Sequence, residues 1–232
     1  MGKSKKSRRK KLIVWLCIDA VVAATVIALL LYKPALYHPV APPVVMDPNG
    51  QEVHPYITHN LVPTLYNNAQ EQKPFVMEVL AQGLNEAIAQ TGWRQQSGAV
   101  ALSSPAIAFA PGRIVLMGTA DIEGAECVVT VEIEPQILAD KRLNLMVKRV
   151  SVGAMPITLL AKVMAKKMYR EQVDAGLVDA QDWRTKIAAS LLVDEPFEPV
   201  FPVEDKWIRL ESFDIGQDKA TLRFVPAPRK VN

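Results

Sequence analysis

The sequence predicts an α+β protein: an N-terminal transmembrane helix, then an antiparallel sheet packed on one long helix, with a second helical segment and a C-terminal β-hairpin. Three observations carry this. Residues 12–32 form an apolar run of 21 residues with one charge, Asp19, which suits a membrane span. Residues 125–134 alternate strictly, with Cys127, Val129, Val131 and Ile133 on one side and Glu126, Thr130, Glu132 and Glu134 on the other, as in a strand with one buried face. The remaining elements read in the order helix, strands, helices, hairpin, which is the α+β pattern.

Residues 1–11, MGKSKKSRRKK, hold seven basic residues and no acid. The run at 12–32 then covers about 30 Å at about 1.5 Å per residue, the thickness of a hydrocarbon core. Only Lys33 stands directly beyond it. The positive-inside rule therefore expects residues 1–11 in the cytoplasm and the C-terminal part outside it, in a single-pass protein of the inner or plasma membrane. Trp15 and Tyr32 lie near the two ends, where amphipathic rings anchor at the interface. A cleaved signal peptide would have an apolar core of about 7–15 residues and a polar cleavage region; here Leu29-Leu30-Leu31 occupies that place. Cys17 is followed by more apolar span, which argues against a lipoprotein cysteine. Asp19 is costly in lipid and is a candidate for a helix–helix contact. Cys17 in the membrane and Cys127 outside it cannot form an intramolecular disulfide. With no N-x-S/T sequon in the chain, this suits a bacterial envelope protein better than a eukaryotic secretory one.

Residues 33–73 carry seven prolines, Pro34 to Pro63. Such spacing blocks long helices and central strands, so a mostly extended linker is expected. Its stretch around Tyr56 to Tyr66 is apolar enough to dock on a folded domain. His38, His54 and His59, the three histidines of the chain, all fall here and offer too few ligands for a metal site.

The folded extracytoplasmic domain is expected at 74–226, with a short tail at 227–232. Phe75, Val76, Val79, Leu80, Leu84 and Ile88 recur at helical spacing, with Pro74 at the start and Gly92 as the stop, which predicts the long helix. Strands are expected over 99–109, 113–122, 125–134 and 143–152, separated by turns at Pro111-Gly112 and Glu123-Gly124. In the last strand the apolar parity shifts from Leu143, Leu145 and Val147 to Val150 and Val152, which predicts a bulge near Arg149. A helix over 157–172 would carry Ile157, Leu160, Ala161, Met164, Ala165 and Met168 on its apolar face. A third helix is read at 180–193, and strands 207–215 and 219–225 form the closing hairpin. Cys127 is read as a core residue rather than a reactive thiol.

Several function classes find no support in the sequence. The domain has no histidine, so a Ser-His-Asp or Cys-His arrangement is unavailable there. Phosphate-loop, dinucleotide and H-E-x-x-H motifs are absent. Glu132 and Glu134 share the polar face of a strand, where solvated acids are expected. No enzyme, cofactor or metal is predicted. Residues 33–232 hold 20 basic and 23 acidic residues, so nucleic acid is not an expected partner.

Charge segregation is more informative. Residues 141–170 hold eight basic residues and no acid. Lys162, Lys166, Lys167 and Arg170 decorate the second helix, where a basic amphipathic face can meet a membrane surface or an acidic headgroup; the alternative is a solvated face balancing the acidic flanks. Methionine is the second hint: Met117, Met146, Met155, Met164 and Met168 fall in the domain, and with Leu160 they could line a cavity for an irregular apolar ligand. The alternative is ordinary core filling.

The stretches FVMEVLAQGLNEAIAQ, IVLMGTADIEGAECVVTVEIEP, RLNLMVKRVSVGAMPIT and IRLESFDIGQDKATLRF, behind an N-terminal anchor, resemble the YpmS-like signal-anchored extracytoplasmic proteins and, more loosely, the tubular lipid-binding (TULIP-like) superfamily. The resemblance covers about residues 74–226. It implies a curved sheet wrapping a long helix, with an apolar groove for lipid. The expected function is thus a membrane-anchored, non-enzymatic domain that binds a lipid or another apolar envelope molecule. The alternative is an envelope protein–protein interaction module or assembly factor with a packed core.

Overall fold

The computed structural model describes residues 3–40, 55–90, 94–97, 100–176 and 182–228. In chain order the elements are α1 (Lys3–Leu30), a π-helical turn (Ile57–Leu61) running into α2 (Val62–Gln70), β1 (Phe75–Leu80), α3 (Ala81–Gln90), β2 (Arg94–Ser97), β3 (Val100–Ala110), β4 (Arg113–Ile122), β5 (Ala125–Ile137), β6 (Leu143–Val152), β7 (Met155–Pro156), α4 (Thr158–Asp174), α5 (Trp183–Val193), β8 (Val200–Val203), β9 (Lys206–Ile215) and β10 (Lys219–Pro226). The class is α+β with two antiparallel sheets. One is a six-stranded meander in the order β2-β3-β4-β5-β6-β7; the other runs β1-β10-β9-β8. Within α1, Lys11–Leu30 is long and apolar enough to cross a membrane.

The meander follows from its turns. Gly112 and the Glu123-Gly124 pair take positive φ at the tips of consecutive strand pairs, where the backbone must reverse. The register of β5 against β6 steps from Glu132↔Arg149 to Ile133↔Val147, so Lys148 is the extra residue. This bulge sits where the apolar parity of the sequence changes. A second irregularity in β3 falls at Ser104-Pro105, with Ser104 at φ 50°; proline cannot donate to a ladder, and a bulge accommodates it.

Two core layers meet along the meander. Ile133, Val147 and Val150 face Ile157, Ala161 and Leu191 of the α4–α5 layer. Toward the other sheet, Phe109 and Leu143 pack with Met77, Ile208, Leu210 and Phe224. Ile114 and Leu145 touch both clusters, so the core is continuous. Backbone contacts add to this: Leu143 of β6 and Phe197, in the segment before β8, exchange both hydrogen bonds, at 2.7 and 3.0 Å, and Gly112 N–H in the β3–β4 turn donates to Ile215 O at the end of β9 at 2.8 Å. Beyond the end of β2, the free edge of β3 is capped by Asn85 of α3. Its amide accepts from Ile107 N–H at 2.6 Å and donates to Ile107 O at 2.8 Å.

The structure corrects several expectations. The long helix from Phe75 is replaced by β1 and the ten-residue α3. Met77 and Val79 point inward while Val76, Glu78 and Leu80 are exposed, because β1 pairs along its length with β10. The segment read as extended contains a helix at 57–70, seated by buried Ala69 in the core between strands. Tyr56 fixes its start: the hydroxyl accepts from Leu80 N–H at 2.7 Å, and the ring lies against Gly83, where any Cβ would collide with it. The Pro-rich stretch 41–54 with His54, the Gly92 stop and the Ala180 start of the third helix lie outside the described residues. Cys127 is half-buried rather than core, its thiol 3.5 Å from Ala120 O; burial pushes that thiol up from its ordinary pKa.

The predicted single buried face of β5 is also corrected. Val128 and Thr130 are buried on the side expected to meet water. A strap of residues 31–40, leaving α1, covers them. Tyr37 packs with Val115, Met117 and Val128. Its hydroxyl donates to the Ser104 carbonyl at 2.8 Å and lies 2.7 Å from Thr119 Oγ1. The bulge in β3 thus presents the carbonyl that holds the strap.

Candidate functional site: the outward face of α4

The chain enters α4 through a tight sequence of contacts. Gly153 takes φ 57° after β6, and a Cβ there would collide with the Leu29 and Leu30 carbonyls at the end of α1. Ala154 N–H donates to Leu29 O at 2.8 Å. Thr158 Oγ1 then accepts from Val150 N–H at 3.0 Å and lies 3.3 Å from Val150 O, fixing the first turn of α4 on β6. Leu159 stands five positions after Ala154, a reach of about 18 Å at most. The start of α4 is therefore tied close to the end of the apolar helix α1.

The inner stripe of α4 is Ile157, Ala161, Ala165 and Tyr169, at the i, i+4 spacing of one helix face. Ile157 and Ala161 join the core, and Lys162 reaches Asp194 at the end of α5 at 3.5 Å. No residue of α4 is buried. Its outward face carries Leu159, Leu160, Val163, Met164 and Met168, each 55 to 84 % exposed. Exposed apolar residues scattered singly are ordinary; these five form one contiguous stripe. Lys166, Lys167 and Arg170 follow on the same side in the last turns. Lys167 lies 3.8 Å from Glu171. Among the described residues, Lys166 and Arg170 form no ion pair.

The predicted ligand residues do not line one groove. Leu160, Met164 and Met168 share the outward face of α4, turned to the surface rather than into a cavity. Met117 is buried under the strap on the opposite side of the meander. Met146 is half-buried on β6, and Met155 is half-buried on β7. Clefts of ≈ 240 Å³ flank the α4–α5 contact, one at Val163, Leu192 and Asp194, the other at Tyr169, Lys186 and Phe197. Each is smaller than the 300–1,000 Å³ typical of ligand pockets.

The carboxylates with altered ionisation are all pulled the same way. A hydrogen bond from Gln136, with Lys148 beside it, holds Glu134 below the usual carboxylate range. Arg142 does the same to Asp140, and Lys206 to Asp205. Such groups stay ionised and are ion-pair partners; a general acid needs the opposite shift. Among the described residues, no three His, Cys, Asp or Glu side chains come together to hold a metal ion. Comparison with protein-family models, with curated proteins and with solved structures finds no match.

Proposed function

We propose that this protein is a single-pass, membrane-anchored extracytoplasmic domain that engages lipid through α4 and has no enzymatic role. The observation that carries the reading is the exposed apolar stripe of α4 beside a basic end, tied within a few residues to the end of α1. Helix α1 is retained as the anchor, with its seven N-terminal positive charges in the cytoplasm. The start of α4 then lies at the outer membrane surface. An amphipathic helix there lies in the interface plane, with its apolar face about 5–10 Å into the headgroup and acyl boundary and its basic residues at anionic lipid. The lipid is met as a surface, not enclosed in a cavity lined by the methionines. The likeness to the YpmS-like proteins belongs to the same reading.

An environment-sensitive fluorophore tests it. Val163→Cys, in a chain carrying Cys17→Ser and Cys127→Ser, is labelled and placed in nanodiscs of phosphatidylglycerol and phosphatidylcholine. A label at Ala139→Cys, exposed on the turn between β5 and β6 at the far end of β5 from Val128 and Gly153, is the reference. Blue-shifted emission at 163, protected from an aqueous quencher, with water-like emission at 139, is the expected result. Water-like emission at both positions refutes the lipid reading and leaves the stripe to a protein partner.

A further inference from the structure

We infer that a cleft beneath the strap binds the phosphate of an anionic membrane lipid. The cleft is separate from α4, on the opposite face of the meander, and shares with the preceding reading only the placement of α1 in a bilayer. It has a volume of ≈ 350 Å³ and lies between Tyr32, Pro34 and Leu36 of the strap and the strands β3 to β6 with the turn that follows β6.

Three charged side chains line it: Arg113, Glu132 and Arg149. Arg113 and Glu132 are paired at 2.9 Å. Arg149 sits directly across from Glu132 in the β5–β6 register, yet among the described residues it forms no ion pair. The cleft thus carries one uncompensated positive charge on a side chain whose planar fork suits phosphate oxygens. Beside it stands Thr130, 7 % exposed, whose buried hydroxyl has no hydrogen-bond partner. A buried hydroxyl without a partner is unfavourable, and an acceptor in the cleft would relieve it. Ser151, also buried, faces Thr130 across the ladder.

Position selects the source of the anion. Gly153 and Ala154 line the same cleft, and Ala154 is bonded to Leu29 at the end of α1. With α1 spanning the hydrocarbon, the cleft lies at headgroup depth. A phosphodiester brings one negative charge, which balances the net +1. The apolar wall of Val115, Met117 and Leu36 suits the glycerol and the first acyl carbons.

The test uses the full-length chain in dodecyl maltoside, without a bilayer, titrated with dioleoyl-phosphatidylglycerol and read by native mass spectrometry. One saturable lipid per chain is expected. Arg149→Gln weakens it about tenfold or more, the loss of a hydrogen-bonded charge pair, while Arg149→Lys keeps most of it. Because Arg149 is exposed, Arg149→Gln leaves the unfolding midpoint within about 2 °C. Val163→Glu on α4 leaves the stoichiometry unchanged, which separates this site from the α4 surface. Four results overturn the assignment: no saturable lipid, equal binding by Arg149→Gln, equal binding of dioleoyl-phosphatidylcholine, or loss of the lipid in Val163→Glu. Inorganic phosphate that binds as tightly, read by thermal shift, overturns the lipid source in favour of the free anion.

Discussion

Tyr37→Phe isolates what holds the strap on the sheet. The substitution keeps the ring, so packing against Val115, Met117 and Val128 is unchanged. It removes the hydroxyl that meets Ser104 O at 2.8 Å and Thr119 Oγ1 at 2.7 Å. A typical intramolecular hydrogen bond contributes about 0.5–1.5 kcal/mol net. Two are lost, but water can partly replace them at this half-buried site, so a destabilisation of about 1.5 kcal/mol is expected. For a chain of this size that is a fall of about 3–6 °C in the unfolding midpoint. Thermal unfolding of the full-length protein in detergent, followed by tryptophan fluorescence, gives the number. Thr119→Val removes the same contact from the other side, so the double substitution should cost less than the sum of the singles by about 0.5 kcal/mol or more. If Tyr37→Phe melts within about 1 °C of the parent and shows no coupling to Thr119→Val, the strap is not held in this way and the argument fails.

Further outcomes follow from other contacts. Asn85→Ala leaves both backbone groups of Ile107 without partners and should cost about 2–4 kcal/mol, seen as a lower urea midpoint with an unchanged slope; a change under about 0.5 kcal/mol would count against the cap. Gly153→Ala combines a left-handed backbone, worth about 1–2 kcal/mol, with a collision against the Leu29 and Leu30 carbonyls. It should free the end of α1, so chymotrypsin cuts after Tyr32 faster than in the parent; an unchanged rate means the contact is not made. The depressed Glu134, Asp140 and Asp205 contribute stability that is present above the ordinary carboxylate range and is lost as pH falls through their lower folded values. A pH series of unfolding midpoints should decline on that acid side, and a flat profile contradicts the ion pairs. Cys127, with its thiol pushed up by burial, should react with iodoacetamide at pH 8 more slowly than free cysteine.

The meander was legible because its signals are local. Alternation in β4 and β5, the turns at Gly112 and Gly124, and the parity shift before Val150 each sit within one or two strands. The bulge at Lys148 could be read from parity alone. β1 was not legible. Six residues with apolar groups at 75, 76, 79 and 80 fit a helix as well as a strand, and the choice is made by β10, about 140 residues away. The helix at 57–70 was hidden by Pro55 before it and Pro63 within it, although Pro63 is tolerated in the first turn of α2. On α4 the sequence shows amphipathicity without saying which edge of a wide apolar arc turns inward. Ala161 and Ala165 allow the close approach to the sheet, and that leaves the larger Leu160, Met164 and Met168 outside. Neither the strap nor the cleft leaves a periodic trace. Tyr37 is one aromatic residue among prolines, and Thr130 reads as a solvent-facing threonine until something covers it.

The pairing of β1 with β10 has a consequence for biosynthesis. At about 5–20 residues per second, the ribosome needs about 7–30 s to deliver β10 after β1 has emerged. During that interval the meander can close strand by strand from neighbouring segments. The edge of β1 and the seat of α2 stay open until then. A nascent chain stopped before Lys219 would hold all six strands of the meander and an unsealed second layer. The arrival of β10 is therefore the step that closes the second sheet over the core.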